Sequence, residues 1–343
     1  MHKHFILLVA GLLLLTGCTL GGSEMQPGPS LTNILPSQTT APTEMIRPEE
    51  SDPVTKESEE PIEGQSQEEN ASSLLYIFEC SENPCEFDQA VQFSRPISSG
   101  FVDWVDQTYP FGSTASGKYE VHHGVEFINP SGTKVRAVET GIVMVAGNDR
   151  AIPNGLSNDF YGNLVIIEHQ LDALSEPLYT VYGHLSKVMV EAGQEVQQGD
   201  VIGLVGATGY AIGSHLHFEV RFGTNQYDHT VNPVLWLSPR VTDSGDILGN
   251  LVGVVVDRWG ELVVEKQMTV EALQRDDSGR YKRYYPTTYA DPALTSVSPY
   301  HENFSLADLP EGDYRISVVN GKLYETTISI RSGRTTFLMI RVP

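Results

Sequence analysis

The sequence predicts an all-β protein, and three observations carry that expectation. Apolar residues fall in short β-branched runs such as NLVIIEH, LYTVYGHL and HLHFEVRF. Glycines and turn signals separate those runs, and no stretch of useful length shows the periodicity of an amphipathic helix. At 343 residues the chain has room for two domains of ordinary size and the connections between them.

Residues 1–18 combine a lysine-bearing start, an apolar run from Phe5 to Leu15 and the step Thr16-Gly17-Cys18. The run is short for a membrane-spanning helix and reads as a secretion signal. Leu15-Thr16-Gly17-Cys18 resembles the lipobox of bacterial lipoproteins. That resemblance implies cleavage before Cys18, lipidation of its thiol, and an exported chain anchored on the outer face of the membrane or in the cell envelope. Residues 19–73 are rich in Pro, Ser, Thr, Gly and Glu and hold hardly an aromatic, too little apolar surface to offset chain entropy. They are expected to form a disordered acidic tether with a root-mean-square span of roughly 40 Å. The formal net charge of −22 argues against nucleic acid as a partner. Cys80 and Cys85, in ECSENPCEF, are expected to close a small disulfide loop, since a zinc site would want further thiols or a local histidine.

Residues 74–240 form the predicted central domain. Two similar phrases within it, KVRAVETGIVMVAG and EVQQGDVIGLVGATG, each read as a hairpin with a glycine turn between alternating apolar residues. The run from His215 to Phe222 alternates without fault: His215, His217, Glu219 and Arg221 share one face, and Leu216, Phe218, Val220 and Phe222 the other. Same-face neighbours on a strand lie about 6.6–6.8 Å apart, so both histidines can address one site. A solvated polar face is the plainer alternative.

The stretch VHHGVEF sharpens the choice. On a straight strand His122 and Glu126 would lie roughly 13 Å apart, too far for one ion bonded at ~2.0–2.2 Å. A bend is required, and Gly124 permits the backbone angles that one needs. His122, Glu126 and His217 then make a two-histidine, one-carboxylate set, which for zinc leaves a fourth position open to water. His184, closing the run LYTVYGH, can project into a cleft as a fourth candidate. His169 is expected to be structural, and His123, His229 and His301 lack a partner pattern.

HHGVEF, GTKVRAVETGIV, YGHL, EVQQGDVIGLVGATGYAIGSHLHFEVR and NPVLWL, taken in order over about residues 95–237, resemble the lysostaphin-like (LytM-type) zinc metalloendopeptidases that cut bacterial peptidoglycan. The resemblance implies an antiparallel β-sheet peptidase domain that holds one Zn2+ and acts on peptidoglycan peptides. The family pattern H-x-G-x-D falls on His122, Gly124 and Glu126, and H-x-H falls on His215 and His217. It thus implies His122, Glu126 and His217 as metal ligands, with His184 and His215 assisting the water and the transition state, their separate roles left open. The departure is Glu126, where the family pattern has aspartate. Glutamate is an acceptable zinc ligand, but its extra methylene, roughly 1.5 Å, has to be absorbed by backbone or rotamer. No H-E-x-x-H is present, so no helix-borne glutamate is available as base.

Residues 241–343 alternate in short runs broken by turns such as Pro310-Glu311-Gly312-Asp313, which predicts a small β-sandwich. G-x-V-x-D at Gly253 to Asp257 and D-L-P-x-G-x-Y at Asp308 to Tyr314 resemble carboxypeptidase-regulatory, prealbumin-like modules. A stabilising or spacer role is preferred to binding of the wall or of a protein partner, because no aromatic platform is identifiable. Two rival functions remain: a catalytically inactive relative that binds cell-wall peptides or activates another wall hydrolase, and a biotinyl- or lipoyl-like carrier. The carrier is disfavoured because the glycine turns present no lysine.

Overall fold

The computed structural model describes residues 83–89, 91–276 and 278–343. The expected signal peptide, Cys18, the tether and Cys80 lie outside the described residues. Cys85 is disulfide-bonded, and the other two cysteines of the chain both fall outside that range.

Eleven strands precede the C-terminal part: β1 (Cys85–Phe87), β2 (Val125–Phe127), β3 (Lys134–Arg136), β4 (Gly141–Asn148), β5 (Asn163–His169), β6 (Leu178–Gly183), β7 (Lys187–Val188), β8 (Glu195–Val196), β9 (Val201–Leu204), β10 (Leu216–Phe222) and β11 (Thr230–Val231). Seven form one antiparallel sheet in the order β11-β10-β6-β5-β4-β8, with β2 also on β10. Unbroken apolar runs suit strands covered on both faces. On β5, Val165 and Ile167 enter the main core, while Leu164 and Ile166 join Tyr161 and Val181 on the other side.

The two glycine-bearing phrases are not hairpins closed on themselves. β3 pairs with β9 and β4 with β8, so each phrase gives one strand to the large sheet and one to a three-stranded sheet, β3-β9-β7. The phrases therefore pair with each other. Alternation within a phrase sets which face each residue takes but not which strand it will meet.

The C-terminal part adds β12 (Gly249–Val256), β13 (Met268–Arg275), β14 (Tyr281–Tyr284), a five-residue helix α1 (Ala293–Val297), β15 (Phe304–Leu309), β16 (Gly312–Asn320), β17 (Lys322–Ile330) and β18 (Thr335–Arg341). Two four-stranded sheets, β1-β18-β12-β15 and β14-β13-β16-β17, enclose a core that includes Leu251, Phe304, Ile316, Ile328 and Ile340. β12 and β18 run parallel, and a Cβ at Gly253 would lie 1.9 Å from the Leu338 carbonyl oxygen, so the glycine of GVVVD is a packing requirement. Among the described residues, no helix is long and apolar enough to cross a membrane.

The cores of the two parts are continuous. Leu235 and Trp236, in NPVLWL, share one cluster with Val252, Val254, Tyr300 and Phe337. β1 lies on the C-terminal sheet, opposite Thr335–Phe337, although its residues fall within the predicted central domain. Its three residues offer no periodicity that would name their partner. Arg95 and Asp308 close the same interface at 2.8 Å.

Glu302 is fully buried in this interface and accepts hydrogen bonds from the Ser298 and Tyr289 hydroxyls. Burial raises its carboxyl from 4.5 to about 7. Between those values the folded chain keeps a proton that the unfolded chain has released, so this residue's contribution to stability falls as pH rises through the window. Urea unfolding at about pH 5 and about pH 7.5 is expected to show a smaller loss for Glu302→Gln than for the parent, by roughly 1–3 kcal/mol. Equal losses would refute the assignment.

Candidate metal centre

The site is assembled by pairing register. β2 lies antiparallel to β10 with Glu126 directly opposite His217, and β6 places Gly183 on His217's other side. The chain bends at Gly124 just before β2, and His122 returns to the pair. The bend does not need the backbone freedom expected of glycine. Instead a Cβ at Gly124 would sit 2.6 Å from His217 Cε1 and 2.8 Å from the Phe218 carbonyl oxygen, so only glycine leaves room for the imidazole.

Three atoms converge. Glu126 Oε1 is 3.0 Å from His122 Nε2 and 3.0 Å from His217 Nδ1, and the two nitrogens are 3.3 Å apart. All three side chains are buried. The outer nitrogens are committed as donors: His122 Nδ1–H to the Tyr109 carbonyl at 2.7 Å, and His217 Nε2–H to Glu219 Oε1 at 3.0 Å. Both acceptors can only accept, so in the neutral rings the inner nitrogens turn lone pairs towards one another and towards a carboxylate, and without a metal ion a proton on His217 takes the cation's place. Such a trio asks for a cation. Atoms bound tetrahedrally to zinc at ~2.0–2.1 Å stand about 3.3 Å apart, so the spacing fits. Glu126 Oε2 adds a second sign of fit, being buried with no hydrogen-bond partner while His215 Nε2 stands 3.1 Å away.

The electrostatics agree. Burial alone would depress the His217 imidazole, yet the Glu126 charge and hydrogen bonds to Glu126 and Glu219 raise it to about 10. Burial also opposes the charge on Glu126, but the His217 and His122 rings hold its carboxyl well below the usual range. Positive charge at this point is favoured.

His184 and His215 stand beside the trio, their ring centroids 4.8 Å apart, and His184 is 5.5 Å from His217. His184 has φ +59°, a left-handed conformation rare for a residue with a side chain. Its Nδ1–H donates to the Thr208 carbonyl at 2.9 Å, and that of His215 to the Gly213 carbonyl at 3.1 Å. His184 therefore keeps Nε2 for the groove that both rings line, while His215 Nε2 faces Glu126 Oε2 at 3.1 Å. Burial, reinforced by His217, lowers His184 to about 3, which leaves it neutral at ordinary pH.

All five predicted site residues thus meet in one place. The polar face of β10 is not solvated: Glu219 and Arg221 are buried. Arg221 grips Glu219 Oε2 through Nε at 3.0 Å and a terminal nitrogen at 2.9 Å, and Tyr161 donates to Oε1. Reasoning from the sequence placed Glu219 on the histidines' face without giving it this task; the signal was two further polar residues continuing that face past His217. Tyr109, stacked on His122 with centroids 4.1 Å apart, had no signal of its own. His123 stacks on Tyr227 and bonds Thr230 Oγ1. His169 bonds the Thr140 carbonyl and Thr180 Oγ1, and is not among the residues lining the groove. Above the trio opens a groove of about 550 Å³ lined by Tyr109, Tyr119, Phe160, Tyr210, Ile212 and Tyr227.

Residues 120–233 match the family model for Peptidase family M23. This segment is an M23 peptidase domain by that match. It covers about a third of the chain. The DD-carboxypeptidase/endopeptidase Mpg of Neisseria meningitidis serogroup B is 35% identical over 116 residues, 34% of this chain and 23% of that protein. The peptidoglycan DD-endopeptidase ShyA of Vibrio cholerae is 37% identical over 99 residues, 29% of this chain and 20% of that protein. The chain thus spans about a quarter or less of these relatives' lengths. Among solved structures, the catalytic domain of lysostaphin from Staphylococcus simulans is similar at 28% identity and a TM-score of 0.30, over 38% of this chain and 86% of that one. A zinc-containing peptidase from Vibrio cholerae is similar at 30% identity and 0.31, over 41% and 39%.

Within the M23 domain, Glu219 is the carboxylate behind a candidate ligand, and such partners are typically worth 10–100-fold in metal affinity. Glu219→Gln keeps the volume but removes the charge, and competition with a chelating dye is expected to show zinc binding weakened by about tenfold. An unchanged affinity would mean that Glu219 serves only to pair Arg221.

Proposed function

We propose that the chain is a zinc-dependent endopeptidase that hydrolyses peptide bonds in the stem or cross-bridge of bacterial peptidoglycan, with His122, Glu126 and His217 as metal ligands. The observation that carries this reading is the convergence of two imidazole lone pairs and one carboxylate oxygen at 3.0–3.3 Å beneath an open groove. Zinc bound there would supply Lewis-acid polarisation of the scissile carbonyl and a water acidified to a pKa of about 7.

The remaining work falls to side chains of this chain. The water that attacks the carbonyl gives its proton to Nε2 of His184 or His215, whichever ring lies nearer. That proton then passes to the amine released when the C–N bond breaks. The other ring, with a second proton taken up from solvent on Nε2, donates to the oxygen on which negative charge develops and returns that proton to solvent when the product leaves. Tyr109 and Glu219 hold the two ligand imidazoles in the tautomers that metal binding needs. The aromatic walls offer stacking and van der Waals surface to an extended peptide.

The relatives' names, which include peptidoglycan DD-endopeptidases, support the choice of substrate class. The proposal includes export and anchoring through Cys18, and a prealbumin-like identity for the C-terminal module. Both rest on the sequence.

Purified, folded protein is expected to bind about one zinc per chain and to release new amines from sacculi only when metal-loaded. Glu126→Ala is expected to lose at least about tenfold in zinc affinity together with that release, and Glu126→Asp to keep both. Metal-loaded protein that releases no amines would sink the enzymatic reading and put the wall-binding relative in its place.

A further inference from the structure

Between Tyr109 and His122 the chain makes a loop that forms one wall of the groove, and the C-terminal module takes hold of it at Gly112. Gly112 has φ +75°, and a Cβ there would lie 2.3 Å from Tyr289 Cδ1. The Tyr289 ring also meets Phe111 edge-on, with centroids 5.2 Å apart. The Ala290 N–H donates to the Gly112 carbonyl at 2.8 Å. Gly112 in turn donates to the His122 carbonyl at 2.7 Å, and the His122 N–H to the Ser113 carbonyl at 3.0 Å. The C-terminal module is thus two hydrogen bonds from the backbone of the first candidate ligand.

Tyr289 is fixed from behind as well. Its N–H donates to the Asn303 carbonyl at 2.7 Å and its hydroxyl to Glu302 Oε1 at 3.0 Å, while Asn232 Nδ2 donates to that hydroxyl at 2.7 Å. Asn232 directly follows β11, which pairs with the β10 strand that carries His217. One side chain therefore links the loop of His122 to the sheet of His217.

We propose that Tyr289 is a positioning residue for the candidate metal centre, and that the C-terminal module is a brace for the ligand loop. Of the stabilising or spacer role preferred from the sequence, a pure spacer would leave these contacts without purpose, and the brace gives the stabilising role a definite target. As far as it concerns metal, the proposal rests on the zinc reading above. Its backbone part does not.

The ring supplies the brace, so Tyr289→Phe is expected to stay within about threefold of the parent in zinc affinity, and Tyr289→Leu to lose about tenfold. The visible spectrum of the cobalt-substituted Tyr289→Leu protein should shift, a change that a general loss of stability would not cause. In metal-free protein, hydrogen exchange at the Gly112 and His122 amides should quicken at least about tenfold in Tyr289→Leu. Folded Tyr289→Leu with parental exchange at both amides overturns the proposal, and so does faster exchange with unchanged zinc affinity. A parent that binds no zinc sinks the metal reading and leaves exchange alone to decide the brace. Should Tyr289→Leu fail to fold, native-state exchange of the parent in urea decides. Gly112 and His122 opening together with Ala290 supports the brace, and their opening separately overturns it.

Discussion

Two imidazole nitrogens and a carboxylate oxygen facing one another at 3.0–3.3 Å are the constraint from which the rest of the site follows. Lone pairs do not gather in a buried place unless positive charge joins them. The gathering must also be enforced from outside, since each imidazole left to itself would turn its N–H to the carboxylate. Enforcement comes from the Tyr109 carbonyl behind His122 and from Glu219 behind His217. Glu219 can hold its charge in the interior because Arg221 grips it with two nitrogens. The inner nitrogen of His217 thus depends for its role on an ion pair that begins two residues further along the same strand.

Glu126 fits the same scheme despite its length. It sits in register with His217, where a straight cross-strand approach leaves the side chain free to bend over the pair. Its two oxygens divide the work, Oε1 facing His122 and His217 and Oε2 standing 3.1 Å from His215. The extra methylene is taken up by reach across the site. Gly124 is what makes the reach compatible with the imidazole, because any side chain there would occupy the place of the His217 ring.

Most of the candidate site was legible in the sequence because it is written in short-range spacing. H-x-H on an alternating run and H-x-G-x-E across a required bend mark four of the five residues as candidates by period and distance, and the family resemblance implies their roles. The rest is long-range and leaves no local trace. Tyr109 acts on His122 through a main-chain carbonyl, which any residue type would supply. Tyr289 lies 167 positions from His122, and nothing near it in the sequence points to Gly112. The two glycine-bearing phrases gave the right strands and the wrong partners for the same reason: β3 finds β9 and β4 finds β8 across some 60 residues. The fold class was easier, since period-two runs and the want of a helical period suffice for it.

The site is therefore held from two directions that differ in kind. Below it, buried charge and hydrogen bonds on β10 fix tautomers, and these tolerate almost no displacement. Beside it, the C-terminal module fixes backbone through a ring and an amide, over a core continuous with that of the central domain. Neither reaches the exposed tips of the groove, where Tyr210 and Ile212 are more than three-quarters exposed. Rigidity where a metal would be held and exposed apolar side chains at the rim suit the proposed function, which would bring peptides to one fixed point. Under that proposal, choice among substrates would belong to the rim and the chemistry to the braced floor.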